Sequence, residues 1–181
     1  MSLPIADLPL FAGGTVALLW WSRKPLRQPG SHGFYRFFAW EAILALIVLN
    51  RESSGDQFWS ESLLQLSLVP LVFGFIALRW RGRSDQPGRD DGSLYGWEKT
   101  TALVTNGIYH FIRHPMYAAL LGLAWGMSLR AISLPGLILA LIATWFLLRT
   151  AQAEEGECIA YFGQTYIDYM QRTRRFIPWL F

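Results

Sequence analysis

Residues 115–148 read PMYAALLGLAWGMSLRAISLPGLILALIATWFLL, two apolar runs separated by a short stretch around Arg130. One run of this length is ambiguous between a buried helix and a short membrane span. Two in tandem, joined by about five residues, force an antiparallel helical hairpin. Working outward, three more apolar segments precede it: Leu3 to Trp21, interrupted by Pro4, Asp7 and Pro9; Phe37 to Asn50, with Glu41 inside; and Leu63 to Trp80, with Pro70 inside. The chain of 181 residues is 52% apolar and 16% charged, with nine Trp, which is unusual for a soluble domain. The expected fold is all-α: a polytopic membrane helical bundle of about five transmembrane helices with a cytoplasmic C-terminal helical cap.

Several classes are excluded by composition. The apolar fraction rules out disorder, and the lone Cys158 rules out a disulfide scaffold or a cysteine-based metal site; no metal is expected. A formal charge of +3 without one continuous basic patch argues against a nucleic-acid partner. No basic region precedes the first apolar run, so a cleaved signal peptide is a poor reading of it.

The basic residues supply a test independent of hydropathy. Arg23, Lys24, Arg27 and Arg36 follow the first span; Arg79, Arg81, Arg83, Arg89, Lys99 and Arg113 follow the third; Arg149, Arg172, Arg174 and Arg175 follow the fifth. Only Arg51 and Arg130 fall on the other side, so fourteen of sixteen share one face. The positive-inside rule then puts the N-terminus outside and the C-terminus in the cytoplasm. Trp20, Trp21, Tyr35 and Trp80 near inner ends, with Trp59 near an outer one, form the expected aromatic belt.

Two cytoplasmic segments exceed a simple connector. RGRSDQPGRDDGS (81–93) is polar and Gly-containing, suited to a lid or a tether over 82–93, and WEKTTALVTNGIYHFI follows it. The tail from Ala151 is expected to form a helix from about Gln152 to Phe162, a break at Gly163, and a second helix from Thr165 to about Arg172. Residues 1–98 thus hold the first three spans and the polar loop, and 99–181 the catalytic region, within one integrated membrane domain.

Chemistry concentrates in two places. Arg113-His114-Pro115-Met116-Tyr117 stands where the fourth span begins, and Pro is favoured in a first helical turn because its missing N–H was unpaired anyway. Free N–H groups, the helix dipole and Arg113 make such a start suited to an anion, or to anchoring on lipid phosphate. Glu154 and Glu155 follow the fifth span; adjacent carboxylates diverge on a helix, so at most one faces a given pocket. The turn at Arg130 returns the chain to the same membrane face and brings one of them toward His114. A carboxylate facing a helix start suits a zwitterionic ligand with hydroxyls. Cys158 is expected to be a packing residue on a helix face.

LVTNGIYHFIRHPMYAAL (103–120), followed by EEGECIAYFGQTYIDYMQRTRRFIP (154–178), resembles the isoprenylcysteine carboxyl methyltransferase and phospholipid methyltransferase superfamily of integral membrane enzymes. RHPxY joined to a downstream EE and FGxxYxxY carries the resemblance over residues 99–178. It implies S-adenosylmethionine (SAM) as cofactor, S-adenosylhomocysteine as product, and a lipid-like or hydrophobic acceptor arriving from the bilayer, such as an isoprenylcysteine carboxylate or a phospholipid headgroup. It implies a cofactor pocket lined by Thr101, Ala102, Leu103, Val104, Tyr109, His114, Pro115, Met116, Tyr117 and Glu154, with Glu155 as the neighbouring alternative. Counting back from Phe162-Gly163 without a gap selects Glu154. Isoprenylcysteine enzymes place an Arg four residues before that Glu; here Thr150 stands there, with Arg149 one position earlier as the candidate to orient an anionic acceptor. Gly122, Gly126 and Gly136 suggest close approach of the fourth and fifth spans and lateral entry between them. The rival readings are a sterol-reductase-like oxidoreductase using NADPH, for which Arg172, Arg174 and Arg175 are the only phosphate cluster, and a non-catalytic membrane scaffold.

Overall fold

A computed structural model describes residues 7–51, 58–82 and 100–179. It contains α1 (Leu8–Ser22), α2 (His32–Leu49), α3 (Phe58–Arg81), α4 (Pro115–Arg130), α5 (Leu134–Phe162) and α6 (Gln164–Arg172), with 3-10 turns at Pro25–Arg27 and Gly107–His110. Among the described residues there is no strand beyond an isolated parallel bridge between Ile112 and Arg174. Apart from Gly82, the expected lid or tether at 82–93 lies outside the described residues, as does the 98/99 boundary.

Local chemistry sets the helix starts. The hydroxyl of Ser31 accepts the Phe34 N–H at 3.2 Å at the head of α2, and that of Ser133 accepts the Gly136 N–H at 3.2 Å at the head of α5, each satisfying a donor that a helix start leaves unpaired. Gly163 ends α5 with φ of 61°, a backbone region that favours glycine. The tail break therefore falls where expected. The span at 134–148 and the helix from about Gln152, expected as two pieces, form one 29-residue helix. The connecting Arg149, Thr150, Ala151 and Gln152 include no Gly or Pro to stop it, and the Thr150 hydroxyl donates to the Phe146 carbonyl at 2.8 Å. α3 likewise runs through Pro70 and starts before Leu63.

Helices α2, α3 and α5 are long and apolar enough to cross a membrane. With 15 and 16 residues, α1 and α4 rise only ~22–24 Å, short of a ~30 Å hydrocarbon core. Exposed apolar side chains such as Val16, Leu66, Phe73 and Leu141 give the bundle a lipid-facing surface. Trp20, Trp21, Trp59 and Trp80 are also exposed, with the Arg23 guanidinium 5.0 Å from the Trp20 ring.

In the bundle α1 packs on α2, α2 on α5, and α4 on both α5 and α3. Ala42, Ile43 and Leu46 of α2 meet Ala124 and Met127 of α4 and Ala140 and Ala143 of α5 in the central core. The α4–α5 hairpin is held partly by the Trp125 indole N–H donating to Thr144 at 3.1 Å. The glycines do something different from the expectation. A Cβ on Gly122 would sit 2.6 Å from the Ser67 Cβ, and one on Gly126 2.7 Å from Leu64, so both serve the α3–α4 approach. Gly136 lies instead against Ser133 and Asn50.

Far from the tail, Asn50 donates to the Met127 carbonyl at 2.8 Å, Ser60 to the Gly126 carbonyl at 2.8 Å, and Arg51 meets the buried Asp7 at 3.4 Å. The apolar part of α5 ends before Arg149. Its last turns carry Glu154, Glu155 and Glu157 to the opposite end.

Candidate active site

The segment 111–114 and the chain leaving α6 are zipped side by side. Arg113 N–H donates to the Arg174 carbonyl at 2.8 Å, His114 N–H to the Arg175 carbonyl at 3.1 Å, and Arg174 N–H to the Phe111 carbonyl at 3.1 Å. This places Arg113 and His114 at the head of α4 against the acidic turn of α5.

Glu155 is the hub. It is buried and accepts from Arg113 Nε at 3.0 Å, from Arg175 Nε at 3.1 Å and from Arg175 Nη2 at 2.6 Å; His114 Nε2 lies 3.3 Å away. Arg113 also donates through Nη1 to the carbonyls of Met170 at 3.2 Å and Thr173 at 2.6 Å. Its guanidinium therefore ties α4, α5 and the tail together. Charge-assisted bonds of this kind are roughly twice as strong as neutral ones.

Glu154 differs from its neighbour. Its side chain is 29% exposed, and its carboxylate lies 3.4 Å from His114 Nδ1 with a hydrogen bond from Tyr117. The His114 ring stacks on Tyr117 at 5.4 Å and leans on Phe176 at 6.1 Å. Burial alone would lower the His114 pKa, but the two carboxylates outweigh it and raise it above the ordinary histidine value. Burial would raise Glu155, yet His114, Arg175 and Arg113 hold its carboxyl well below the usual range. Burial likewise works against the Glu154 charge, and His114, His32 and Tyr117 still bring its pKa down to about 2. Both carboxylates are ionised, one saturated by cations and one partly open.

The remaining expected residues are spread around this cluster. Pro115 occupies the first turn of α4, where no side chain caps the free N–H groups. The N–H of Thr101 donates to the Gly82 carbonyl at 2.9 Å, with Ala102 at 3.4 Å from the same oxygen. Leu103 packs on Cys158, Tyr166 and Tyr169, which makes Cys158 part of a packed cluster. Val104 and Tyr109 are buried, and the Tyr109 carbonyl accepts from the Tyr169 hydroxyl at 2.7 Å. Arg149 is set apart, exposed and turned toward α2: it donates to Gln152 at 3.1 Å and its guanidinium lies 5.3 Å from the Tyr35 ring. The arginine trio does not form a phosphate cluster, because Arg175 is bound to Glu155.

Beside the site lies an apolar cavity of about 580 Å³, walled by Leu66 and Pro70 of α3, Leu121 and Gly122 of α4, Phe111, and Phe176 and Ile177 of the tail. It opens between α3 and α4, not between α4 and α5. Phe176 belongs both to this wall and to the His114 surroundings.

Sequence reasoning missed His32, which is buried and lies 2.6 Å from Glu157 through Nδ1. A histidine just after a Ser cap is the only local signal there, and it does not say which carboxylate, 125 positions away, it will meet.

Residues 87–169 match the family model described as phospholipid methyltransferase. Methanethiol S-methyltransferase 2 of Bradyrhizobium diazoefficiens is 36% identical over 74 residues, which is 41% of this chain and 28% of that protein. Protein-S-isoprenylcysteine O-methyltransferase of Tribolium castaneum is 32% identical over 98 residues, 51% of this chain and 34% of that protein. The alignments thus span about a third of those relatives' length. No solved structure matches. Residues 87–169, which hold the RHPMY segment and the acidic turn, are thus the part of the chain that is similar to membrane methyltransferases.

Proposed function

We propose that this chain is an integral membrane methyltransferase that moves the methyl group of SAM to a hydrophobic, lipid-like acceptor, releasing S-adenosylhomocysteine. The observation that carries the reading is the partly open, ionised Glu154 facing His114 at the uncapped head of α4, inside the family-matched region.

The donor set fits SAM. The uncapped N–H groups at the start of α4 suit the carboxylate of the methionine portion, and Glu154 suits its ammonium or the ribose hydroxyls. Glu155 is already committed to Arg113 and Arg175, so Glu154 is the ligand of the pair and Glu155 its anchor. Tyr117 and His114 hold Glu154 in place, and Thr101 to Val104 with Tyr109 would line the neighbouring wall. When bound, SAM supplies a methyl carbon on a sulfonium, open to in-line displacement. The protein's part is to align the acceptor and keep water out.

The acceptor's apolar portion would lie in the α3–α4 cavity, which reaches the site along Phe176. A carboxylate or thiolate acceptor needs no general base, whereas an ammonium headgroup must first lose a proton. Arg149 stands exposed beside Tyr35 on the α2 side, away from the α3–α4 cavity, so an acceptor seated there would not be oriented by its charge. If the shorter α1 and α4 also cross, giving five spans with the N-terminus outside, this chemistry would lie at the cytoplasmic rim, within one membrane domain whose catalytic part is 99–181.

Calorimetric titration of the detergent-solubilised protein with SAM and with NADPH tests the reading. SAM is expected to bind and NADPH not; Glu154→Ala should weaken SAM by about 1–3 kcal/mol, the range for charged hydrogen bonds. Binding of NADPH alone, or unchanged SAM affinity in Glu154→Ala, would remove the proposal.

A further inference from the structure

Glu157 has no part in the site as described so far, yet it makes a short, two-point contact between α2 and α5. Its Oε1 accepts the backbone N–H of His32 at 3.1 Å, and its Oε2 lies 2.6 Å from His32 Nδ1. The carboxylate thus grips the first residue of α2 at two points. His32 is 1% exposed and Glu157 21%.

Glu157 follows Glu154 by three positions, on the same face of α5. Glu154 therefore lies on a turn flanked by two imidazoles from different elements: His114 at the head of α4, 3.4 Å away, and His32 at the head of α2, held by Glu157 one turn further along α5. The heads of both helices carry the positive ends of their dipoles toward one acidic turn, which offsets the repulsion among Glu154, Glu155 and Glu157. Other groups around Glu154 include Tyr117 from α4, Tyr109 before it and Tyr166 from α6, while Arg175 from the tail is bound to Glu155.

We propose that His32 is a positioning residue of the cofactor site: by holding Glu157 through its ring and its backbone N–H, it fixes the turn of α5 that presents Glu154. The site is then not confined to the family-matched region, because its α2 wall comes from outside it. Released from His32, Glu157 would stand one turn from Glu154 as a second carboxylate competing for the same cationic group, and the head of α2 would lose its anchor on α5. This inference rests on the reading that Glu154 binds SAM.

The test is a double-mutant cycle on the full chain in detergent, reading SAM affinity by calorimetry and stability by thermal unfolding. His32→Leu and Glu157→Ala are each expected to weaken SAM about tenfold, and the double variant also about tenfold, because both remove one interaction. His32→Asn, which keeps a donor near the position of Nδ1, should stay within about threefold of the wild type. That rescue keeps the test decisive if the leucine variant folds poorly. Wild-type affinity in His32→Leu, additive losses near a hundredfold in the double variant, or equal weakening by Asn and Leu would each overturn the proposal. A wild-type protein that binds no SAM would overturn the reading beneath it as well.

Discussion

Replacing Glu155 with alanine probes the centre of the ion cluster. The substitution removes the acceptor for Arg113 Nε and for both Arg175 donors, together with one of the two carboxylates beside His114. Arg175 is 23% exposed and can turn to water, so its loss is modest. Arg113 is only 9% exposed and keeps two carbonyl partners, leaving a buried guanidinium half satisfied. Breaking one side of a buried pair costs about 3–5 kcal/mol, and the remaining carbonyl bonds put Glu155→Ala near the lower end, about 3 kcal/mol. At roughly 2–4 °C per kcal/mol for a chain of this size, the melting temperature should fall by about 6–12 °C. Nine Trp make intrinsic fluorescence in detergent a suitable readout. Acid should act alike: the folded carboxyl is held below its ordinary value, so its contribution is full above about pH 4.3 and is lost as pH falls from there. A loss under about 1 kcal/mol in Glu155→Ala would show that the cluster does not bind α4, α5 and the tail together.

Gly122→Ala should destabilise by about 1 kcal/mol despite the helix propensity it gains, because its Cβ would meet the Ser67 Cβ at 2.6 Å. Gly156→Ala, with nothing within 4 Å, should gain up to about 1 kcal/mol, and equal effects of the two in thermal unfolding would refute the α3–α4 assignment. His114 has a raised pKa, so its contribution to stability is complete below about pH 6.5 and is lost as pH rises through the folded value. His114→Gln should flatten that part of the stability curve between pH 6 and 9, and parallel curves for the two proteins would contradict the pairing with Glu154 and Glu155.

The hairpin and the meeting of His114 with the acidic turn were legible because both follow from chain connectivity: a short link at Arg130 returns α5 to the head of α4. The break at Gly163 was legible from residue type alone. What one sequence could not supply was the lateral order of the helices. Gly122 and Gly126 mark a close approach, but nothing in their spacing says whether the partner is α3 or α5. Likewise Glu154 and Glu155 are adjacent letters, and only the arrival of Arg113 and Arg175 makes one an anchor and leaves the other partly open. His32 was invisible for the same reason, since its partner is fixed by how α2 leans on α5. The continuous α5 was underestimated because the charged residues past Leu148 end a membrane run without ending a helix.

The zipper between residues 111–114 and 174–175 also sets a timetable. Arg113 meets Thr173 60 positions later in the chain, and ribosomes add about 5–20 residues each second. For roughly 3–12 s during synthesis, α4 exists while its buried arginine has no tail to hold. The helical frame can therefore enter the bilayer before the ion cluster closes, and a segment made after α5 is what locks the first turn of α4.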